Sequence, residues 1–141
     1  MAGYLSTPLL KKLGIKSGFV IQVINEPRNY FDLLKNLPEK IIISEKADSR
    51  HDFIHVFTKS KYELIDLLPQ LRDMIKPNGI IWISWPKKAS GIETDLSGNE
   101  VRAIGLLNKL VDIKVCAIDE TWSGLKFVIP RHLRTDENYQ P

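Results

Sequence analysis

The residues best suited to hold a ligand fall in residues 85–91, directly after a strongly apolar run. This stretch combines the indole ring of Trp85 with the ammonium groups of Lys87 and Lys88, the hydroxyl of Ser90 and a glycine. An aromatic face beside ammonium groups can stack a base and hold a phosphate. The composition predicts a loop that binds a small anionic or nucleotide-like ligand, and the alternative interpretation is a solvated surface loop.

A second polar stretch, residues 119–124, places the carboxylates of Asp119 and Glu120 beside the indole of Trp122. Paired carboxylates serve acid–base catalysis only where burial separates their pKa values, and an exposed turn does not bury them. We therefore expect a structural role for this turn, with Trp122 covering an edge of the sheet near the ligand-binding loops.

The other reactive residue types exclude several kinds of site. The histidines His51, His55 and His132 have no metal-ligand spacing with the single cysteine, Cys116, so no metal site is expected and His51 and His55 are interpreted as structural. One cysteine cannot form an internal disulfide, which favours a reducing compartment. The sequence also contains no glycine-rich phosphate loop and no Gly-x-Ser-x-Gly elbow, so phosphoryl transfer and covalent hydrolysis lack support.

A rigid scaffold must position these loops, and the apolar pattern predicts one. Apolar runs of strand length alternate with segments of helical spacing, an order typical of a parallel sheet with helical crossovers. A short helix begins near Pro8 and ends at Gly14. The predicted strands are residues 19–24, 41–43, 53–57, 80–85, 112–118 and 125–129, with helices after the first, third and fourth.

Local signals predict where these elements begin and end. Ser60 and Glu63 form a capping box at a helix start, and Pro69 predicts a kink or a break within that helix. Residues 76–79 predict a turn, and six residues join the last two strands, too few for a crossover. The predicted fold is α/β: a three-layer α/β/α, Rossmann-like domain with a mostly parallel six-stranded sheet and a C-terminal antiparallel hairpin.

Length and composition fit one domain. The 141 residues are 43% hydrophobic and 26% charged, and we expect a single domain over residues 1–134 with a flexible tail at 135–141. No apolar stretch approaches the ~20 residues of a membrane span, and no signal-peptide pattern is seen, so a cytoplasmic location is expected. The net charge of +3 permits phosphate-bearing partners, and the oligomeric state is left open.

The element order, with the text DFIHVFTKSKYELIDLLPQLRDMIKPNGIIWISW at residues 52–85, resembles the class I S-adenosylmethionine-dependent methyltransferase fold. There a Lys-Pro-Gly-Gly-like turn precedes the fifth strand and an antiparallel pair ends the sheet, features matched by residues 76–79 and 112–129. The stretches GYLSTPLLKKLGIK, SWPKKASG and VDIKVCAIDETWSGLKFVI are also similar to a family of small bacterial proteins with no assigned activity.

The chain departs from the methyltransferase pattern after its first strand. Those enzymes place a glycine-rich loop there, because the backbone must approach the cofactor closely. Residues 23–30 contain no glycine; Pro27 removes an amide donor, and Arg28 and Tyr30 are expected to fill space that the cofactor needs. The segment after the second strand is also short for a full repeat, which implies six strands rather than seven. No cofactor is therefore predicted.

Three functions stay open on this basis. The first is a non-catalytic domain that binds a small anionic or nucleotide-like ligand, or a partner protein. The second is a divergent methyltransferase, in which the resemblance implies that Asn25, Glu26 and Glu45 lie near S-adenosylmethionine, with Glu45 accepting from the ribose hydroxyls. The third is weak RNA binding. Its candidate contacts are Lys59, Lys61, Lys87, Lys88 and Trp85.

Overall fold

The computed structural model describes residues 8–46 and 50–134, and within them the chain forms one six-stranded sheet. The strand order is β2-β1-β3-β4-β6-β5. The strands are β1 (Val20–Ile24), β2 (Ile42–Ile43), β3 (His51–Phe57), β4 (Ile75–Pro86), β5 (Val111–Ala117) and β6 (Trp122–Val128).

The sheet is parallel on one side and antiparallel on the other. β1 pairs in parallel with β2 and β3, and β3 pairs in parallel with β4. β6 is antiparallel to both β4 and β5. This arrangement confirms the predicted fold class, with six strands and a closing antiparallel hairpin.

Helices cover both faces of the sheet, because the central strands are apolar on both sides. The α-helices are α1 (Leu9–Leu13), α2 (Tyr30–Leu34), α3 (Lys61–Met74) and α4 (Gly98–Leu107), and short 3-10 turns lie at Lys88–Ser90 and Arg131–Leu133. Residues of α3 and α4 pack with Ile54, Ile83 and Phe127 in one core. Residues of α1 and α2 pack with Phe53 and Trp82 in a second core on the other face.

Helix α3 begins as its sequence predicts and then runs through its proline. The Ser60 hydroxyl oxygen accepts a hydrogen bond from the Glu63 amide at 3.1 Å. The helix continues to Met74 with Pro69 inside it, so no break occurs. Pro69 and Ile65, whose carbonyl loses its amide partner, are both exposed, and solvent can satisfy that carbonyl.

The predicted turn at residues 76–79 is instead part of β4. His51 pairs with Ile75 and Phe53 with Ile80, so the register shifts and the four residues between Ile75 and Ile80 lie opposite a single residue of β3. The turn-forming residues therefore produce a bulge inside a strand. The extra length is accommodated because pairing resumes on both sides of the bulge.

The first crossover and the outer edge are shorter than the sequence predicts. Helix α2 ends at Leu34 rather than near Pro38, because Lys35 takes a left-handed backbone conformation with φ of 62°. Strand β2 has two residues, and Ile42 and Ile43 are 56% and 53% exposed.

None of the helices in the described ranges is long and apolar enough to cross a membrane. The predicted tail lies outside the described residues.

Candidate ligand-binding cleft

Two neighbouring parallel strands deliver polar residues to the same edge of the sheet. β1 ends at Ile24 and is followed by Asn25, which has a left-handed backbone with φ of 58°. β3 ends at Phe57 and is followed by Thr58, whose amide donates to the Ser84 carbonyl at 3.0 Å. In an open α/β sheet, ligands bind at this carboxyl edge of the strands.

A cleft of ≈350 Å³ opens at this edge. β1, β3, the start of α3, the segment after the Lys88–Ser90 turn and the hairpin all contribute to its walls. We call it the rim cleft. Its lining residues are Asn25, Phe57, Thr58, Lys59, Glu63, Ile92 and Trp122.

The hairpin places Trp122 in the wall of the rim cleft. The Asp119 carboxylate accepts hydrogen bonds from the amides of Thr121 and Trp122, both at 2.8 Å, and so fixes the turn. The indole meets the Phe57 ring edge-on, with centroids 5.1 Å apart. Asp119 therefore serves the turn, as expected, while Trp122 also presents part of its surface to the cleft.

The two charged residues of the rim cleft differ in how they are engaged. The Glu63 carboxylate accepts a hydrogen bond from the Thr58 hydroxyl and lies in the first turn of α3, where the helix dipole stabilises negative charge. Lys59 is exposed, and its ammonium group forms no ion pair with any described residue. Lys59 is thus the charge available to a ligand.

A second cleft of ≈440 Å³ adjoins the first and shares Lys59. Here a backbone amide at the start of α3 already has a partner within the protein. The Asp95 carboxylate accepts a hydrogen bond from the Lys61 amide at 2.7 Å. The Thr94 hydroxyl donates to the Lys59 carbonyl at 2.7 Å. The amino terminus of α3 is therefore already occupied by a carboxylate of the same chain and is a poor site for a second anion.

Behind the rim cleft, the space under the first crossover is filled by a buried polar chain. The Tyr30 hydroxyl lies 2.9 Å from His55 Nδ1, and His55 Nε2 lies 2.8 Å from Ser84 Oγ. All three side chains are buried. Burial lowers the pKa of His55 to about 3, and burial together with the charge of Glu26 raises the pKa of Tyr30. The imidazole is therefore neutral and the phenol protonated, which suits a structural network.

The structure brings together only part of the set that the sequence nominates. Asn25 and Trp122 line the rim cleft. Trp85 does not offer the expected stacking face, because it is 8% exposed and packs in the α3–α4 core. Strand alternation turns its ring inward, and Gly98 at the start of α4 closes over it.

Lys59 lines both clefts, and the remaining nominated residues line neither of them. Glu26 and Glu45 are exposed after β1 and β2. Lys87 and Lys88 flank the start of a 3-10 turn, which the Lys87 amide ties to the hairpin through the Thr121 carbonyl at 2.8 Å. The Ser90 hydroxyl is used within the same turn, since it donates to the Lys87 carbonyl at 2.7 Å.

Sequence reasoning missed several residues of the rim cleft. Phe57 was predicted in a strand and Glu63 as a helix cap, and Ile92 was predicted within a rim segment, residues 85–95, without being named as a contact. The signal that could have found them is position: residues at the ends of parallel strands and in the first helical turn after them converge. Within the described ranges, no group of three or more His, Cys, Asp and Glu side chains could hold a metal ion.

Several solved structures with a similar fold are methyltransferases. The chain superposes on magnesium protoporphyrin IX methyltransferase from Synechocystis PCC 6803 with bound SAH (TM-score 0.54, 11% identity, 80% of this chain and 74% of that one). It superposes on a SAM-dependent methyltransferase from Aquifex aeolicus (TM-score 0.56, 14% identity, 86% and 88%). It also matches the ribosomal protein L11 methylase of Lactobacillus delbrueckii subsp. bulgaricus (TM-score 0.57, 12% identity, 86% and 74%).

These similarities confirm the predicted likeness to the class I methyltransferase fold, and at such identities they show the fold alone. No family model matches the chain, and no curated protein matches it.

Proposed function

We propose that this domain binds a small, flat, anionic ligand of nucleotide-like chemistry in the rim cleft and transfers no methyl group. The observation that carries the proposal is that, at the carboxyl edge, one region is filled by protein side chains and the neighbouring region is an open cleft. The first crossover is filled by Tyr30, while an open cleft with Lys59 and Trp122 lies beside it.

The fold implies S-adenosylmethionine, and the residues after β1 fit it poorly. Asn25 takes the left-handed conformation that glycine favours but keeps a side chain there. Pro27 has no amide hydrogen to donate. Tyr30 is 1% exposed and is held by His55, so it cannot swing aside without breaking a buried hydrogen bond. Close backbone contact with a cofactor therefore lacks room at this crossover.

The walls of the rim cleft indicate the chemistry of its ligand. Trp122 and Ile92 offer apolar surface against which a planar ring can pack. The unpaired ammonium of Lys59 suits a phosphate or carboxylate, and the exposed Asn25 amide can both donate and accept. A volume of ≈350 Å³ is at the small end of ligand sites. Adenosine 5′-monophosphate is a probe with these properties.

The experiment is a titration of the protein with adenosine 5′-monophosphate, followed by tryptophan fluorescence and calorimetry. Trp82 and Trp85 are buried and Trp122 is half-buried, so a ligand in the rim cleft changes mainly the Trp122 emission. Trp122→Phe should remove the fluorescence change. Lys59→Met should weaken binding about tenfold or more, the contribution of one charge-assisted hydrogen bond.

Lys88→Met is the matched control, because it removes the same charge from an exposed lysine outside both clefts. It should bind the nucleotide as the unmodified protein does. Equal losses in the two lysine variants, or no binding at about 1 mM nucleotide, would refute the proposal.

The second candidate is a divergent methyltransferase, which the fold similarity favours. It requires S-adenosylmethionine to bind near Asn25, Glu26 and Glu45, and calorimetry with this molecule separates the two functions. Binding that is lost in Glu45→Ala and kept in Lys59→Met supports the enzyme. Binding of the nucleotide alone supports the ligand-binding domain.

A further inference from the structure

A group of lysines lies on the sheet face that α1 covers. Lys12 belongs to α1, Lys16 follows it, and Lys114 and Lys126 lie on β5 and β6. We call these four residues the basic face. On β6, Lys126 pairs with Trp82, whereas Trp122 at the rim cleft pairs with Pro86, a separation of about 13 Å along the strand. The basic face is thus a surface distinct from the rim cleft.

Direct contacts link Lys12, Lys114 and Lys126, and Lys16 lies near enough for its charge to act on Lys126. Lys114 and Lys126 are directly opposite each other in the antiparallel β5–β6 pair. The Lys114 ammonium donates to the Lys12 carbonyl at 3.4 Å. The Lys126 ammonium lies against Gly14, 3.6 Å from the position that a β-carbon would take there. Two strands and the end of a helix therefore concentrate positive charge in one place.

This charge is not neutralised within the described part of the chain. The ion pairs there join Lys76 to Asp52 and Arg102 to Asp112, and none involves the basic face. Partial burial and the charges of Lys114 and Lys16 lower the pKa of Lys126. Like charges directly opposite in a sheet are destabilising, so the fold carries a repulsion that an anionic partner would relieve.

We propose that the basic face binds the phosphate backbone of RNA. Four cations on a helix, the loop after it and two strands can contact more than one phosphate of a polyanion. Lysines act as point charges, which suits contacts to phosphate that do not read sequence. The sequence assigned a weak RNA role to the lysines of the rim, and the structure points to a different set.

A membrane surface fits the basic face less well. Peripheral membrane binding needs apolar side chains that insert beside the cations. Val115, an exposed apolar neighbour of Lys114, is directly opposite Leu125 of the α3–α4 core and so lies on the other face of β5. Val115 is therefore not placed to insert into a membrane beside the basic face.

The experiment measures binding of a labelled, mixed-sequence, single-stranded RNA by fluorescence anisotropy at several NaCl concentrations. Four lysine contacts predict a slope of about −3 in a plot of log K against log salt. Two quadruple lysine-to-glutamine variants lower the net charge equally but at different places. One changes Lys12, Lys16, Lys114 and Lys126, and the other, the rim variant, changes Lys46, Lys61, Lys87 and Lys88, which do not line the rim cleft.

The basic-face variant should lose at least about tenfold in affinity at low salt and most of the slope, while the rim variant stays within about twofold of the unmodified protein. Equal losses in both variants would mean a net-charge effect and would overturn the proposal. So would an absence of RNA binding, or tighter binding of polyglutamate, which would assign the face to an acidic protein.

Circular dichroism checks that the quadruple variants are folded. If the basic-face variant is not, the single changes Lys16→Gln and Lys126→Gln serve instead, and each should reduce the slope by about one. Lys126→Gln should weaken RNA binding while leaving the thermal midpoint unchanged or higher, since it removes a cross-strand repulsion. A lysine with a purely structural role would show the opposite effect on the midpoint.

Discussion

The Tyr30 hydroxyl and His55 Nδ1 lie 2.9 Å apart in the interior, and the same imidazole reaches Ser84 through its other nitrogen at 2.8 Å. A neutral imidazole has one donor and one acceptor nitrogen. Both imidazole nitrogens therefore have a hydrogen-bond partner, Tyr30 of α2 for one and Ser84 of β4 for the other. These two hydrogen bonds link the first crossover to the centre of the sheet.

Tyr30→Phe tests the energetic weight of this link. The change removes the hydroxyl and leaves a buried imidazole nitrogen without its partner, which should lower the free energy of unfolding by about 1–3 kcal/mol. Urea denaturation measures it. Tyr62→Phe is the control, because Tyr62 is 83% exposed and its change should stay within about 0.5 kcal/mol. Similar values for the two variants would show that the buried bond contributes little.

His55 predicts a loss of stability in acid. Burial holds its pKa at about 3 in the folded protein, against an ordinary value of 6.5. Between these values the unfolded chain binds the extra proton, so stability is full above pH 6.5 and falls by up to about 1.4 kcal/mol per pH unit as the solution is acidified. His55→Gln should flatten this slope in urea denaturation.

If the His55→Gln variant does not fold, NMR of the unmodified protein gives the same information. The His55 ring should remain neutral at pH 5, where an exposed histidine is mostly protonated. A His55 ring that titrates near pH 6.5 would contradict the prediction.

Two glycines of α4 should respond oppositely to alanine. A β-carbon at Gly105 would collide with the Phe127 ring in the α3–α4 core, whereas at Gly98 the nearest Trp85 atom is 3.5 Å away. Gly105→Ala should destabilise by about 1–3 kcal/mol through overpacking. Gly98→Ala should be neutral or stabilising by up to about 1 kcal/mol, because alanine restricts the unfolded chain. Thermal unfolding of both variants ranks them, and the reverse order would be inconsistent with this packing.

Ser60 should contribute to stability as a helix cap. Ser60→Ala leaves the Glu63 amide without its side-chain acceptor and should cost about 1 kcal/mol, while Ser60→Asn retains an acceptor and should recover most of it. Chemical denaturation of the two variants separates the contribution of the capping hydrogen bond from the packing of the side chain at position 60. A full loss in both variants would assign the effect to packing.

The sequence predicted elements well where local signals and burial agree. The run at residues 80–85 became the buried part of β4, and Ser60 begins α3 as its capping box indicates. Prediction failed where tertiary pairing decides. Residues 76–79 are types that favour turns, but strand pairing before and after them holds them in β4. Helix α2 ends before Lys35 because that residue takes a positive φ.

The candidate site was predictable in location and less so in membership. The carboxyl edge follows from the order of strands and helices, and Asn25 and Trp122, which the sequence nominated, line the cleft there. Trp85 was misassigned because its position after an apolar run does not reveal which way the last residue of a strand faces. Ile92 carries no local signal, since its place in the rim cleft depends on how a loop folds back.

The two-residue strand β2 has a consequence for motion. It bonds to one neighbour, and both of its side chains are more than half exposed, so little free energy opposes its detachment. Amide exchange should then begin at this margin and advance through β1 before it reaches β3. Because β1 leads directly to Asn25, local unfolding of β2 and β1 would displace this residue of the cleft wall. The central strands β3 and β4 would remain folded meanwhile.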